Sequence, residues 1–261
     1  MEAQSNSDGT VGKALDVLDM VALAGRPVRF GELLAHSAYP KATLYRFLQT
    51  LTSQGMLQMD ADRGTYTLGV RLVRLAHVAW AQSSLAPLAR PYLDELAQET
   101  GQTIHLAQMD QGQVLYVDKR NAARPVDMFS SAGKVGPAYC TGVGKAMLAY
   151  VSDARLAAAL DRQSFHRFTA NTLDTPAKLR AELRLIRERG HAFDREEHEP
   201  GIICVAVPIV SRAGRVLGAV SVTSTTALTT LDALEAQAGR VKDTAARIAV
   251  EAESWRFPEQ D

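Results

Sequence analysis

Residues 39–55, YPKATLYRFLQTLTSQG, constrain this chain more than any other stretch. Leu44, Phe47, Leu48 and Leu51 recur every three or four residues, which predicts a helix with one apolar stripe. Pro40 suits a first helical turn, where a missing N–H costs nothing, and Gly55 suits a C-terminal stop. The remaining faces carry Lys41, Ala42, Thr43, Tyr45, Arg46 and Gln49, a set able to read base edges or hold phosphates. A shorter helix is predicted over residues 30–36, and the Ser37-Ala38-Tyr39 turn between the two has helix-turn-helix spacing. Residues 56–59 and 65–69 read as strands around the polar turn 60–64, a hairpin wing with Arg63 at its tip. This order of elements points to duplex DNA. A helical module with no nucleic-acid partner is the bland alternative.

A formal net charge of zero looks unfavourable for DNA until it is divided by region. Between Arg26 and Arg74 stand seven basic residues (Arg26, Arg29, Lys41, Arg46, Arg63, Arg71, Arg74) and three acidic ones (Glu32, Asp60, Asp62), a local excess of 7 − 3 = +4. So modest a footprint suits two copies binding together. The 261 residues allow two domains, and a hydrophobic content of 46% with 22% charged residues is that of a globular protein. No run approaches the roughly 18–20 apolar residues of a membrane span. Residues 1–10 are polar, lack a secretory core and read as a disordered tail, as do 257–261. Cys140 and Cys204 make no disulfide framework, so a reduced, cytoplasmic setting is expected.

The DNA-binding module is predicted to span residues 11–69, with a first helix over 11–24. A linker helix over 70–84 is apolar on two sides. One side is expected to cover the module and the other to meet a second copy. Residues 85–256 form the second domain. Helices are predicted at 85–100, 142–151, 152–160, 175–189 and 229–255, and strands at 103–109, 113–119, 124–129, 191–194, 202–210 and 216–223. Hairpins dominate and strict strand–helix alternation is absent, so the fold class is α+β with an antiparallel sheet of about six strands.

Strand parity suggests where a ligand sits. Cys204 and Ala206, with Ile202, share one face of their strand, and Ala219, Ser221 and Thr223 share one face of the next. If these strands pair, a small and slightly polar surface results; it either faces solvent or holds a ligand. Thr141-Gly-Val-Gly-Lys145 opens a helix whose free N–H groups suit an anion, but its spacing is neither that of a Walker loop nor that of a dinucleotide fingerprint. The acidic run 194–199 is a solvated loop or, as a minority reading, a metal site through His198. Cys204 or Cys140 could serve as an enzymatic nucleophile, but no partnering base stands near either in the sequence.

Several stretches in this order resemble the IclR family of bacterial transcriptional regulators over nearly the whole chain. They are Gly31-Glu-Leu-Leu-Ala35, Tyr39-Pro-Lys-Ala-Thr-Leu-Tyr-Arg-Phe-Leu48, Tyr66-Thr-Leu-Gly69, Gly136-Pro-Ala-Tyr-Cys-Thr-Gly-Val-Gly-Lys-Ala-Met-Leu-Ala149, Gly190-His-Ala-Phe-Asp-Arg-Glu-Glu-His198 and Gly201-Ile-Ile-Cys-Val-Ala-Val-Pro208. The resemblance implies a winged helix-turn-helix, a linker helix and a GAF-like effector domain. It further implies homodimers, or pairs of them as tetramers, on palindromic promoter DNA. The family's small-molecule pocket carries over onto Met128, Gly136, Gly142, Val143, Asp194, Ile202, Cys204, Ser221 and Thr223. Val143 replaces a small Ala and Gly136 a bulkier apolar residue. In such a pocket Asp194 would accept from a ligand hydroxyl, with the ligand carboxylate on the Gly142–Gly144 amides and Ser221. The expected function is a ligand-responsive repressor of a catabolic operon, induced by a small organic or sugar acid. An activator of aromatic-acid catabolism and an enzyme using Cys204 or Cys140 stay open as alternatives. No catalytic residue, resident metal or cofactor is expected.

Overall fold

A computed structural model describes residues 9–122 and 128–254. It divides into two compact units, residues 1–82 and 83–261. Of the expected tails, 1–8 and 257–261 lie outside the described residues, and Thr10 already belongs to the first helix.

The first unit runs α1 (Thr10–Leu23), β1 (Val28–Arg29), α2 (Phe30–His36), α3 (Lys41–Ser53), β2 (Leu57–Asp60), β3 (Thr65–Leu68) and α4 (Val70–Ser83). The α3 stripe is the centre of its core: Leu44, Phe47, Leu48 and Leu51 bury against Val17, Leu18 and Val21 of α1, Leu33 of α2, and Leu57 and Tyr66 of the wing. Pro40 sits one step earlier than expected, as the residue preceding α3, and its carbonyl accepts from the N–H groups of Thr43 and Leu44. At the other end Gly55 has φ +69°, its N–H donates to the Thr52 carbonyl, and the Met56 N–H reaches back to Leu51. This paired closure needs a left-handed residue, which glycine adopts without a Cβ penalty.

The wing is a three-stranded sheet in the order β1-β3-β2. The predicted hairpin is present, and the link at Val28 and Arg29 adds a third strand by pairing with Tyr66 and Thr65. The helix α4 covers the module less than expected. Among its apolar side chains Leu72 packs on the module's core, while Val70, Val73, Leu75 and Val78 are all at least half exposed. The module core is already closed by α1–α3 and the wing, so α4 does not serve as its lid. Its first turn is nonetheless pinned. The Gly69 N–H donates to Met56, and Arg71 donates to the carbonyl and the side-chain oxygen of Gln54.

The second unit comprises α5 (Ala86–Thr100), β4 (Thr103–Asp110), β5 (Gln113–Arg120), β6 (Val135–Gly136), α6 (Gly142–Leu148), α7 (Asp153–Asp161) and α8 (Pro176–Arg189). It continues with β7 (Ala192–Arg195), β8 (Ile202–Val210), β9 (Val216–Thr225), α9 (Leu231–Glu235), α10 (Ala238–Glu251) and a 3-10 turn, Ala252–Ser254. One antiparallel sheet of six strands, in the order β6-β5-β4-β9-β8-β7, holds it together. The helix α6 is buried along its whole length against the sheet, on the surface that carries Ala107, Cys204, Ala206 and Ala219. Small side chains there let a helix approach closely. The β-branched set on the alternate positions, Ile203, Val205, Val207 and Ile209, is equally buried, and α5 and α10 pack on the sheet and on each other.

Of the strand expected at 124–129, residues 124–127 lie outside the described residues; the sixth strand among the described residues is Val135–Gly136, which the sequence reading left in a loop. One prediction for this unit changes. The single C-terminal helix is broken between α9 and α10. The chain tightens there at Gln237, whose N–H reaches back three residues to the Leu234 carbonyl, as in a 3-10 turn. The stripe Leu234, Ala238, Val241, Ala245, Ile248 stays buried across the break. Trp255, the expected end of that helix, lies outside the described residues. The predicted cap at Thr175 holds, accepting from the Lys178 N–H ahead of Pro176, and Ser152 likewise accepts from Arg155 at the start of α7.

The close seating of α6 makes a test. A Cβ on Gly144 would lie 2.4 Å from the Ala138 carbonyl oxygen, whereas one on Gly239 would meet nothing within 4 Å. Gly144→Ala is expected to destabilise the protein by about 1–3 kcal/mol or more. Gly239→Ala, in α10, is expected to stabilise it by about 0.4–1 kcal/mol. Thermal melts of the two variants against the parent read both signs.

Candidate nucleic-acid interface and ligand cavity

The solvent face of α3 presents Lys41, Ala42, Tyr45, Arg46 and Gln49, with Thr43 half-buried at its margin. Thr50 and Ser53, also exposed on α3, were missed by the sequence reading. Their hydroxyls donate to the carbonyls of Arg46 and Thr50, the ordinary back-bonding of such residues in helices. Two contacts orient the larger donors. Tyr45 meets the edge of Phe30 at 6.1 Å between centroids, and the Arg46 guanidinium stands 5.9 Å from the Phe47 ring centre. Arg63 projects from the wing turn, which Asp60 braces by accepting from the N–H groups of Asp62 and Arg63. The local charge excess is not all available for phosphate. Arg26 is tied to Glu32 at 2.6 Å, and Arg71 is engaged on Gln54.

In the second unit the strand register brings the predicted ligand residues together. Asp194, Cys204, Thr223 and Thr103 stand opposite one another across β7, β8, β9 and β4; Ala192, Ala206, Ser221 and His105 form the next such row. Directly opposed residues project from the same face. The small, slightly polar surface is therefore present, and it is buried beneath α6 rather than solvent-facing. A Cβ on Gly142 would lie 2.3 Å from the Cys204 sulfur, so only glycine lets α6 begin there.

Between helix and sheet lies a cavity of about 30 Å³. Met128, Gly142, Val143, Asp194, Ile202, Cys204, Ser221 and Thr223, eight of the nine expected ligand residues, stand on its wall. Gly136 does not. It stands on β6, and a Cβ there would meet the rings of Phe129 and Tyr116, the latter itself a wall of the cavity. Its contribution is room for that wall. The reading missed His105, Tyr116, Ser130, Thr141, His198 and Glu199. Parity within β4 could have found His105, which alternates with the buried Ile104 and Leu106. Ser130 is brought in by tertiary packing alone, from the loop before β6.

The electrostatics are those of a buried polar chamber. Burial, with Glu197 next in effect, raises the Asp194 carboxyl to about 7. Asp194 Oδ1 accepts from the Glu197 N–H at 2.8 Å, and the Glu197 side chain pairs with Lys145 of α6, both out of reach of solvent. Burial pushes His105 down to about 3, with Lys119 adding to the effect. Burial opposes ionisation of Glu199, but hydrogen bonds from His198 and the Phe129 N–H outweigh it and hold its pKa below the usual value. Burial pushes the thiols of Cys140 and Cys204 well up, so both stay protonated. That is the opposite of what a nucleophilic cysteine requires. Among the described residues, no group of three or more His, Cys, Asp or Glu side chains is placed to hold a metal ion, and no helix is long and apolar enough to cross a membrane.

The raised Asp194 gives a pH test. A folded-state pKa above the unfolded value means the native state binds the proton more tightly. The resulting stability is full below about pH 4 and is lost as pH rises towards 7. Asp194→Asn is expected to flatten that part of the stability profile, read by denaturant titrations from pH 4 to 8.

Comparison with known proteins gives the same two parts. Residues 10–61 match the IclR helix-turn-helix domain, and residues 77–250 match the bacterial transcriptional regulator IclR C-terminal family. The HTH-type transcriptional regulator XynR of Escherichia coli is 31% identical over 217 residues, covering 83% of this chain and 86% of XynR. The transcriptional repressor IclR of the same organism is 28% identical over 212 residues, covering 80% and 77% of the two chains. The crystal structure of Thermotoga maritima IclR superposes with a TM-score of 0.75 at 28% identity, over 93% of this chain and 98% of that one. With a DNA-binding module and an effector domain both matched, this chain belongs to the IclR family of bacterial transcriptional regulators.

Proposed function

We propose that this protein is a ligand-responsive repressor of a catabolic operon, acting as a homodimer on a palindromic promoter and released by a small organic or sugar acid. The observation that carries the reading is the pairing of two features in one chain. One is a helix face of outward-pointing donors, Lys41, Tyr45, Arg46 and Gln49. The other is a polar cavity built from five strands, a helix and the loops beside them. A DNA reader needs the first, and a sensor of a small polar metabolite needs the second. Repression as the sign of control is supported by the resemblance to a relative named as a repressor.

The site supports an acid in a specific pose. The ligand carboxylate lies by Gly142, Val143 and the Ser221 hydroxyl, and a neighbouring hydroxyl meets Asp194. Dimer formation is supported by α4, whose Val70, Val73, Leu75 and Val78 stay exposed within one copy. Paired on a second α4, they would be withdrawn from water. Ligand binding would shift the balance between two dimer geometries and with it the spacing of the recognition helices.

Arg46→Ala is expected to weaken binding to the duplex upstream of the protein's own operon by about 1–3 kcal/mol, and Arg63→Ala to weaken it while lowering the salt dependence. Fluorescence anisotropy at several salt concentrations reads both, and unchanged affinity in Arg46→Ala refutes the recognition-helix assignment. Val73→Asp is expected to shift the protein towards monomer in sedimentation velocity with its thermal melt retained. A dimer that persists in this variant refutes the α4 interface.

A further inference from the structure

The outward side of α3 resolves into one central line and two flanks. At about 100° per residue, the direction opposite the buried Leu44, Phe47, Leu48 and Leu51 passes along Ala42, Arg46, Gln49 and Ser53. Lys41 and Tyr45 fall on one flank, Thr43 and Thr50 on the other. Tyr45 is held to its flank by the edge of Phe30, 6.1 Å away between centroids. The Thr50 and Ser53 hydroxyls donate to the carbonyls of Arg46 and Thr50, so their protons are occupied inside the helix. Three groups on the line keep a free reading surface: the Ala42 methyl, the Arg46 guanidinium and the Gln49 amide. Among the described residues, no hydrogen bond within the protein engages either of the two polar ones. All three stand towards the N-terminal end of α3, the part of a recognition helix that meets base edges.

The three groups differ in what they recognise. A guanidinium offers paired donors that match O6 and N7 of guanine. An amide offers one donor and one acceptor, which match N7 and N6 of adenine. A methyl has no hydrogen bond to give and suits the C5 methyl of thymine. Their spacing turns these preferences into an order. From Ala42 to Gln49 the helix rises about 10 Å, or about three base-pair steps, and Arg46 falls between them.

We infer that each operator half-site holds a G·C pair read by Arg46, set between two A·T pairs within about four base pairs, one resting its thymine methyl on Ala42 and the other read through its adenine by Gln49. This rests on the reading of α3 as the recognition helix. Lys41 and Tyr45, on the flank, meet phosphate and set affinity without setting sequence. Specificity is then separable by position, because each of the three side chains answers for one pair.

The test is selection of duplexes from a randomised pool by the full-length protein, followed by anisotropy on the enriched site and on its single-pair variants. Enriched half-sites are expected to carry the three pairs in that order. Exchanging the G·C pair for A·T is expected to weaken binding about tenfold. Replacing the thymine over Ala42 by deoxyuridine removes one methyl and is expected to weaken it about fourfold. Arg46→Gln is expected to turn the preference at the central pair from G·C to A·T, and Gln49→Ala to remove discrimination at its own pair alone. Both positions are exposed, and thermal melts check that both variants fold. Loss of preference confined to the central pair in Arg46→Gln supports the inference as well. Enriched half-sites without a G·C pair between two A·T pairs overturn it. So does an Arg46→Gln variant that keeps the G·C preference or loses preference at every pair, and so does a Gln49→Ala variant that discriminates as before. Those results leave α3 as the DNA-reading helix with a different code. A pool that yields no enriched sequence refutes the recognition-helix reading itself, and the inference with it.

Discussion

The effector domain depends on how α6 is held against its sheet. Gly142 and Gly144 permit an approach no side chain would tolerate, and the buried Lys145–Glu197 pair fastens the helix to the loop after β7. Breaking such a pair from one side costs about 3–5 kcal/mol, because the remaining charge is stranded away from water. The pair stands directly behind the chamber. Residues 142 and 143 on one side of it, and 194, 198 and 199 on the other, are all walls of the cavity. The same contact that closes the fold therefore sets the distance between the two sides of the cavity.

Beneath that helix, the sheet supplies the chemistry through its register. Opposed residues on β7, β8, β9 and β4 put Asp194, Cys204, Thr223, Ser221 and His105 on a common face. Burial then makes the ionisable ones behave differently from their exposed counterparts. The histidine is neutral, the Cys204 thiol is inert, and the Asp194 carboxyl titrates near 7. The cavity wall is thus made of hydroxyls, one uncharged ring and a carboxyl that burial holds near neutrality.

In the other unit the governing constraint is the α3 stripe. Burying Leu44, Phe47, Leu48 and Leu51 leaves Lys41, Tyr45, Arg46 and Gln49 no choice but to face outward. The Gly55 closure and the Gly69 bond to Met56 then fix where the wing and α4 depart. Arg71, bonded to Gln54 at the end of α3, ties the start of α4 to that helix.

Much of this was legible in residue order. The amphipathic period of 39–55 gave α3 with its inside and outside, the parity of 202–209 and 216–223 gave the pocket face, and Thr175-Pro176 gave the start of α8. Those features are local, since each is written in the spacing of a single segment or in the chemistry of one turn. What residue order did not carry was partnership between distant segments. The pairing of Val28 and Arg29 with the wing, the placement of Ser130 beside His105 twenty-five residues away, and the withdrawal of Gly136 from the cavity to a place behind Tyr116 were all decided by packing. The sequence by itself determined which faces must be hidden and where helices begin and end, because burial of apolar surface and capping act along a few turns of chain. Only the tertiary structure decided which polar groups meet in the dark, because a hydrogen bond between remote residues depends on register and helix seating that no single segment encodes.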